Sequence, residues 1–143
     1  MTVTGDAELI RVLQSAPKLA TKSLALALHR EARLILNHSK REYVPVDNGI
    51  LRASAVLGRP EIHGTTIRVQ FGYGGAAAAY SVVQHEDETL SHPPKNPRRT
   101  GTRSSARPGR AKYLSQAVTD MAPGMGARLA VSIQTMFASI GKP

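Results

Sequence analysis

The chain has 143 residues, a formal net charge of +9, no cysteine, no tryptophan and only four Tyr and two Phe. Its length fits one domain, and its Leu, Ile, Val and Phe content supports a single modest core. The missing cysteines exclude disulfides and cysteine–zinc sites. The scarce aromatics argue against binding nucleic acid on rows of stacked bases, and no apolar run approaches the ~18 residues of a membrane span.

Residues Met1 to Leu13 carry Asp6 and Glu8 and no continuous apolar block, so they do not read as a secretory signal. Asp6 to Ser15 reads as a short helix with acids in its first turn. Ala16-Pro17 is expected to end it, with Pro17 opening a second helix that runs to about Glu42. On that helix Ala20, Leu24, Ala27, Leu28, Leu34 and Ile35 share one face, while Lys18, Lys22, His29, Arg33 and Lys40 share the other. Leu19, Leu26 and Leu36 fall off the apolar face and Glu31 falls on it. The stray leucines fit either an imperfect surface helix or a helix that also contacts a second subunit.

After a turn at Pro45–Gly49 the texture changes to short apolar runs broken by glycines. Strands are predicted near 53–62, 65–72 and 79–85, forming an antiparallel meander; Thr66 to Phe71 alternates polar and apolar. Residues from about 88 to 110 show no periodicity and read as one long loop, functional or disordered by itself. Helical spacing returns at Tyr113, Leu114, Ala117, Val118 and Met121. Pro123-Gly124 interrupts it, and Leu129, Ile133, Met136, Phe137 and Ile140 define a last amphipathic helix. The fold class expected is α+β: a long N-terminal helix and C-terminal helices on a small antiparallel sheet, with a long basic loop.

The charge is unevenly placed. Lys95, Arg98, Arg99, Arg103, Arg107, Arg110 and Lys112 fall in one acid-free stretch, and the rest of the chain is close to neutral. Such a stretch neutralises phosphates without regard to sequence or docks on an acidic protein surface; these seven residues are the candidate partner or DNA contacts. His85, Glu86 and His92 suggest a metal-dependent hydrolase, but the histidines are seven apart rather than four apart on one helix face. No Gly-x-Ser-x-Gly elbow is present, and Gly72-Tyr73-Gly74-Gly75 lacks the Lys-Ser/Thr pair of a phosphate loop. Neither catalysis nor a cofactor is expected.

Three segments carry a resemblance. Tyr43-Val44-Pro45-Val46-Asp47-Asn48-Gly49-Ile50-Leu51-Arg52-Ala53-Ser54 resembles the Pro-Val-Asp-Thr-Gly-x-Leu-Arg-x-Ser segment of small tailed-phage neck and tail-completion proteins. Ala79-Tyr80-Ser81-Val82-Val83-Gln84-His85-Glu86 is similar to that family's Tyr-Ala-x-x-Val-x-x-Glu strand. Gly109-Arg110-Ala111-Lys112-Tyr113-Leu114-Ser115-Gln116-Ala117 is similar to its Gly-x-Ala-Lys-Phe-Leu-x-x-Ala helix start. Asn48 stands where the family has Thr, Ser81 where it has Ala, and the Arg-rich insert is extra.

The resemblance implies a non-enzymatic virion protein at the head–tail junction, assembled in the host cytoplasm. It implies a homo-oligomeric ring, six copies favoured and twelve the alternative. Its partners would be adjacent head-completion or connector proteins, tail proteins and the DNA in the channel, with no membrane. The matching residues are Pro45, Asp47, Gly49, Leu51, Arg52, Tyr80, Glu86, Tyr113 and Leu114. On physical grounds Asp47 can cap a turn at Asn48–Arg52, Arg52 can pair with Asp47 or Glu86, and Tyr113 and Leu114 anchor the last helices. The competing reading is a non-enzymatic, basic nucleic-acid-binding protein.

Overall fold

A computed structural model describes residues 6–45, 49–75, 81–82, 85–89 and 109–140. Its elements, in chain order, are α1 (Asp6–Glu42), α2 (Ile50–Ala53), β1 (Ala55–Leu57), β2 (Glu61–His63), β3 (Thr66–Arg68), β4 (Phe71–Tyr73), α3 (Tyr113–Met121) and α4 (Met125–Ile140). The architecture is α+β, with a long N-terminal helix, two C-terminal helices and a small antiparallel β region.

The two N-terminal helices expected on either side of Pro17 are one, and Pro17 lies inside α1. A proline's fixed φ suits a helix; its cost is one backbone hydrogen bond and a clash with the carbonyl four residues back. One such defect does not outweigh a cooperative helix on both sides. The buried side of α1 carries Ser23, Ala25, Ala27, Glu31, Ala32, Ile35, Leu36 and Ser39. Leu36 therefore belongs to the core, not to an outer contact face as expected. Leu34, expected inside, is 46 % exposed, and Leu26 is 56 % exposed.

Helix α4 runs antiparallel to α1. Ser23 meets Met136 and Glu31 meets Arg128, so residue numbers fall on one helix as they rise on the other. Helix α3 packs nearer the C-terminal end of α1, where Asp120 reaches His38 and Tyr43. The break between α3 and α4 falls at Pro123-Gly124, as the sequence indicates.

The β region is a single bent hairpin rather than a three-stranded meander. The first predicted strand is β1 and β2, and the second is β3 and β4. Ala55 faces Tyr73 and Leu57 faces Phe71, whereas Glu61 faces Arg68 and His63 faces Thr66. Three residues, 58–60, thus oppose two, 69–70, which is a bulge. Pro60 within it has no N–H to give a ladder. The strand expected at 79–85 is not one: Ser81, Val82, His85 and Glu86 are helical. Their backbone acceptors serve α3 instead of a sheet edge, since Ser81 O accepts from Tyr113 and His85 O from Lys112. No helix among the described residues is long and apolar enough to cross a membrane.

Candidate functional site

The three segments singled out in the sequence, far apart along the chain, meet at the C-terminal end of α1. The first supplies Tyr43–Pro45 and α2. There Gly49 adopts φ 81°, ψ −4°. This left-handed conformation is cheap for glycine, and it turns the chain from Pro45 into α2 so that Leu51 points inward. Val44, Leu51 and Tyr113 form the buried cluster, with Tyr43, Tyr73 and Leu114 packed around it.

The third segment closes on the first through its backbone. Arg110 N donates to Tyr43 O at 2.9 Å. Gly109 lies so close to Pro45 that a Cβ there would fall 2.6 Å from Pro45 Cγ and against Pro45 Cα. No side chain fits, so the Gly and the Pro of two separate motifs specify one another. Lys112 N donates to His85 O at 2.7 Å, joining the second segment to the third. Lys112 takes φ 53° immediately before α3, a strained conformation for a residue with a Cβ.

Tyr113 is the centre of this junction. Its ring is 1 % exposed and meets Tyr73 and His85 edge-on, with centroids 5.1 and 4.8 Å away. Its hydroxyl donates to Ser81 O at 2.9 Å. Beneath it the buried Ser39 hydroxyl donates to Tyr113 O at 3.1 Å and accepts from the Tyr73 hydroxyl at 3.0 Å. Burial pushes the Tyr73 phenol up to about 12, so it remains a neutral donor. Each buried hydroxyl thus has a partner, as a dry junction requires.

A cleft of about 170 Å³ opens beside Tyr113, between Tyr73 and Leu114 on one side and Val82, His85 and Glu86 on the other. At its rim His85 Nδ1 is 2.7 Å from Glu86 Oε1, and His85 Nε2 is 3.5 Å from the Ser115 hydroxyl. The connectivity is that of a Ser–His–carboxylate relay, but the geometry is not. The serine is beyond the roughly 2.6–3.2 Å reach of proton transfer. The Lys112 ammonium, foremost, with His85 holds the Glu86 carboxyl below its usual range. Among the described residues no group of three His, Asp or Glu could hold a metal ion. His92 lies outside the described residues. The His85–Glu86–Lys112 contacts clasp the second segment to the third.

A second polar cluster ties α1 to α3. Asp120 accepts from the Tyr43 hydroxyl, from Gln116 Nε2 at 3.0 Å, and pairs with His38 Nε2 at 3.1 Å. These donors, Tyr43 first, lower the Asp120 carboxyl from 3.8 to about 2. A carboxyl depressed by folding contributes stability that is complete above its unfolded value and lost as pH falls through the folded one. Unfolding midpoints are therefore expected to fall between about pH 4 and pH 2, and Asp120→Asn is expected to flatten that part of the curve. A slope identical in the variant, read by chemical denaturation at each pH, would show that other carboxylates set it.

Among the described residues Arg52 does not pair with Glu86, which is taken by Lys112 and His85, and its buried Nε has no partner among them. Asp47 and Tyr80 lie outside the described residues, as do Lys95, Arg98, Arg99, Arg103 and Arg107. Arg110 is exposed beside the junction and Lys112 is half-buried within it. The residues that sequence reasoning did not single out are Ser39, Tyr73, His85 as the ring beside Tyr113, and Asp120. Only Ser39 left a trace, as a hydroxyl at the end of the apolar side of α1. No protein-family model, curated protein or solved structure matches the chain.

Proposed function

We propose that the chain is a structural protein of a tailed-phage virion, closing into a ring at the head–tail junction and joining head to tail around the DNA channel. The observation that carries this reading is the junction itself. The segments resembling the neck and tail-completion family fold onto one another through Gly109 against Pro45, Arg110 to Tyr43, Lys112 to His85 and Tyr113 to Ser81. Motifs matched by chance have no reason to do so.

The packing supports self-assembly. Among the described residues, four of the nine buried apolar side chains are alanines, while Leu26, Leu34, Val56, Ile62, Val131 and Phe137 are exposed. A closed ring joins one patch to a different patch on the next copy. The exposed α4 residues Val131 and Phe137 and the exposed hairpin residues Val56 and Ile62 are available to such contacts. Six copies are favoured and twelve are the alternative. The ring would sit between head-completion or connector proteins and tail proteins, and it needs neither catalysis nor a cofactor.

Purified protein is expected to form closed rings in negative stain and native mass spectrometry with no DNA present. A monomer that assembles only on added DNA would overturn the ring and favour the nucleic-acid-binding reading.

A further inference from the structure

Four acids of the described body are held by internal partners: Glu31 binds Arg128, Glu42 binds Arg41, Glu86 binds Lys112, and Asp120 binds Tyr43 and His38. One consequence falls on the outer side of α1. From Pro17 to Arg41 this helix carries six Lys or Arg and a single acid, Glu31, and Glu31 faces inward. Lys18, Lys22, Arg30 and Arg33 are exposed and Lys40 half-exposed. None of the five pairs with a carboxylate among the described residues.

At 3.6 residues per turn, Lys18, Lys22, Arg33 and Lys40 fall within roughly 60° of arc, with Arg30 beside them. The line from Lys18 to Lys40 is about 33 Å long. A merely solvated helix face mixes both signs, and its i,i+4 pairs attract. Here Lys18–Lys22 at i,i+4 and Arg30–Arg33 at i,i+3 repel. A rigid, acid-free line of cations is a cost to the isolated helix that a polyanion removes.

We infer that the outer face of α1, through Lys18, Lys22, Arg30, Arg33 and Lys40, is a binding surface for the phosphate backbone of duplex DNA. Charge complementarity to a polyanion carries the assignment: phosphate charge recurs every ~1.7 Å along a duplex with both strands counted, and the line spans about one duplex turn, about 34 Å, so it meets both phosphate strands. The face offers no aromatic side chain between residues 17 and 41, so binding is blind to sequence. This inference rests on the neck reading for the source of the duplex, and it locates on α1 a contact that the sequence had placed in the basic loop.

The test is fluorescence anisotropy of a random-sequence 30-base-pair duplex over a salt series, on the full chain. Each phosphate contact contributes about 0.9 to the slope of log affinity against log salt. The triple variant Lys18→Gln/Lys22→Gln/Arg33→Gln is expected to lose roughly 2 to 3 from that slope and at least about tenfold in affinity at 0.1 M salt. Lys18→Arg/Lys22→Arg is expected to keep the wild-type slope. Because these side chains are exposed and Gln is a good helix former, both variants should melt like wild type.

An unchanged slope in the Gln variant overturns the inference. So does a wild-type chain that leaves the duplex free at 50 mM salt, or one that binds polyglutamate as tightly as DNA. A slope lost wholly in Arg98→Gln/Arg99→Gln/Arg103→Gln/Arg107→Gln assigns the binding to the loop instead. Failure of the ring would show in particle mass and leave these anisotropy outcomes readable.

Discussion

Tyr113→Ala is expected to be the most damaging single change in the described core. The ring is 1 % exposed and stands between Tyr73 and His85, and the junction closes around it. Truncating a buried aromatic to alanine costs about 3–5 kcal/mol, against a total stability of about 5–15 kcal/mol for a domain. The core around it is thin, so little apolar material is available to refill the space. Tyr113→Phe separates packing from hydrogen bonding. It keeps the ring and leaves Ser81 O without the hydroxyl that lies 2.9 Å away, which costs about 1–3 kcal/mol for a buried acceptor. Chemical denaturation of both variants should therefore place Phe well above Ala. Equal losses would mean that the hydroxyl, not the ring, holds the three segments together. Since ring assembly would use the junction as its frame, Tyr113→Ala should also abolish closed particles, while Tyr113→Phe should retain them.

What the sequence made legible follows from local physics, and what it hid follows from distant partners. The 3.6-residue period exposed the amphipathic α1 and the last helix, and Pro123-Gly124 marked the break between α3 and α4. Glu31 was already visible as a charge on an apolar face, but its partner Arg128 is 97 positions away and no spacing rule reaches it. Pro17 reads as a boundary because its local cost is real; the helix on both sides carries through it. Val82 and Val83 gave 79–85 the composition of a strand, yet the acceptors of Ser81 and His85 were wanted by Tyr113 and Lys112. The register change across the bulge left a hint in Pro60, a residue that cannot serve a ladder, but its size needed the opposing strand. The candidate site was the most legible part as a set of segments and the least as a set of contacts. Arg52 shows why: the motif order offers two plausible acids, and one of them, Glu86, is held by Lys112. Counting charges places the basicity in one loop and leaves the body neutral, because a count does not show that Glu31, Glu86 and Asp120 are each held internally.

The Glu31–Arg128 pair gives a prediction with an unusual order of effects. Glu31 lies on the buried side of α1, its side chain 8 % exposed, and accepts from Arg128 Nε at 3.0 and 2.9 Å and from Nη2 at 2.7 Å. Arg128 is different. Its side chain is 36 % exposed and also donates to Met121 O at 2.8 Å and Pro123 O at 3.2 Å, fastening the turn between α3 and α4. Removing the arginine strands a buried carboxylate and frees two carbonyls at that turn. Removing the glutamate leaves a guanidinium that keeps the carbonyls and reaches water. Arg128→Ala is therefore expected to lower the melting temperature more than Glu31→Ala, by at least a few degrees, because an unpaired buried charge costs more than a lost ion pair. The double variant Glu31→Ala/Arg128→Ala should be more stable than Arg128→Ala alone, since it removes the stranded charge. Thermal melts of the three variants at neutral pH test the whole chain of reasoning. If the double variant melts no higher than Arg128→Ala, then Arg128 acts through the α3–α4 turn alone and the buried carboxylate carries no penalty.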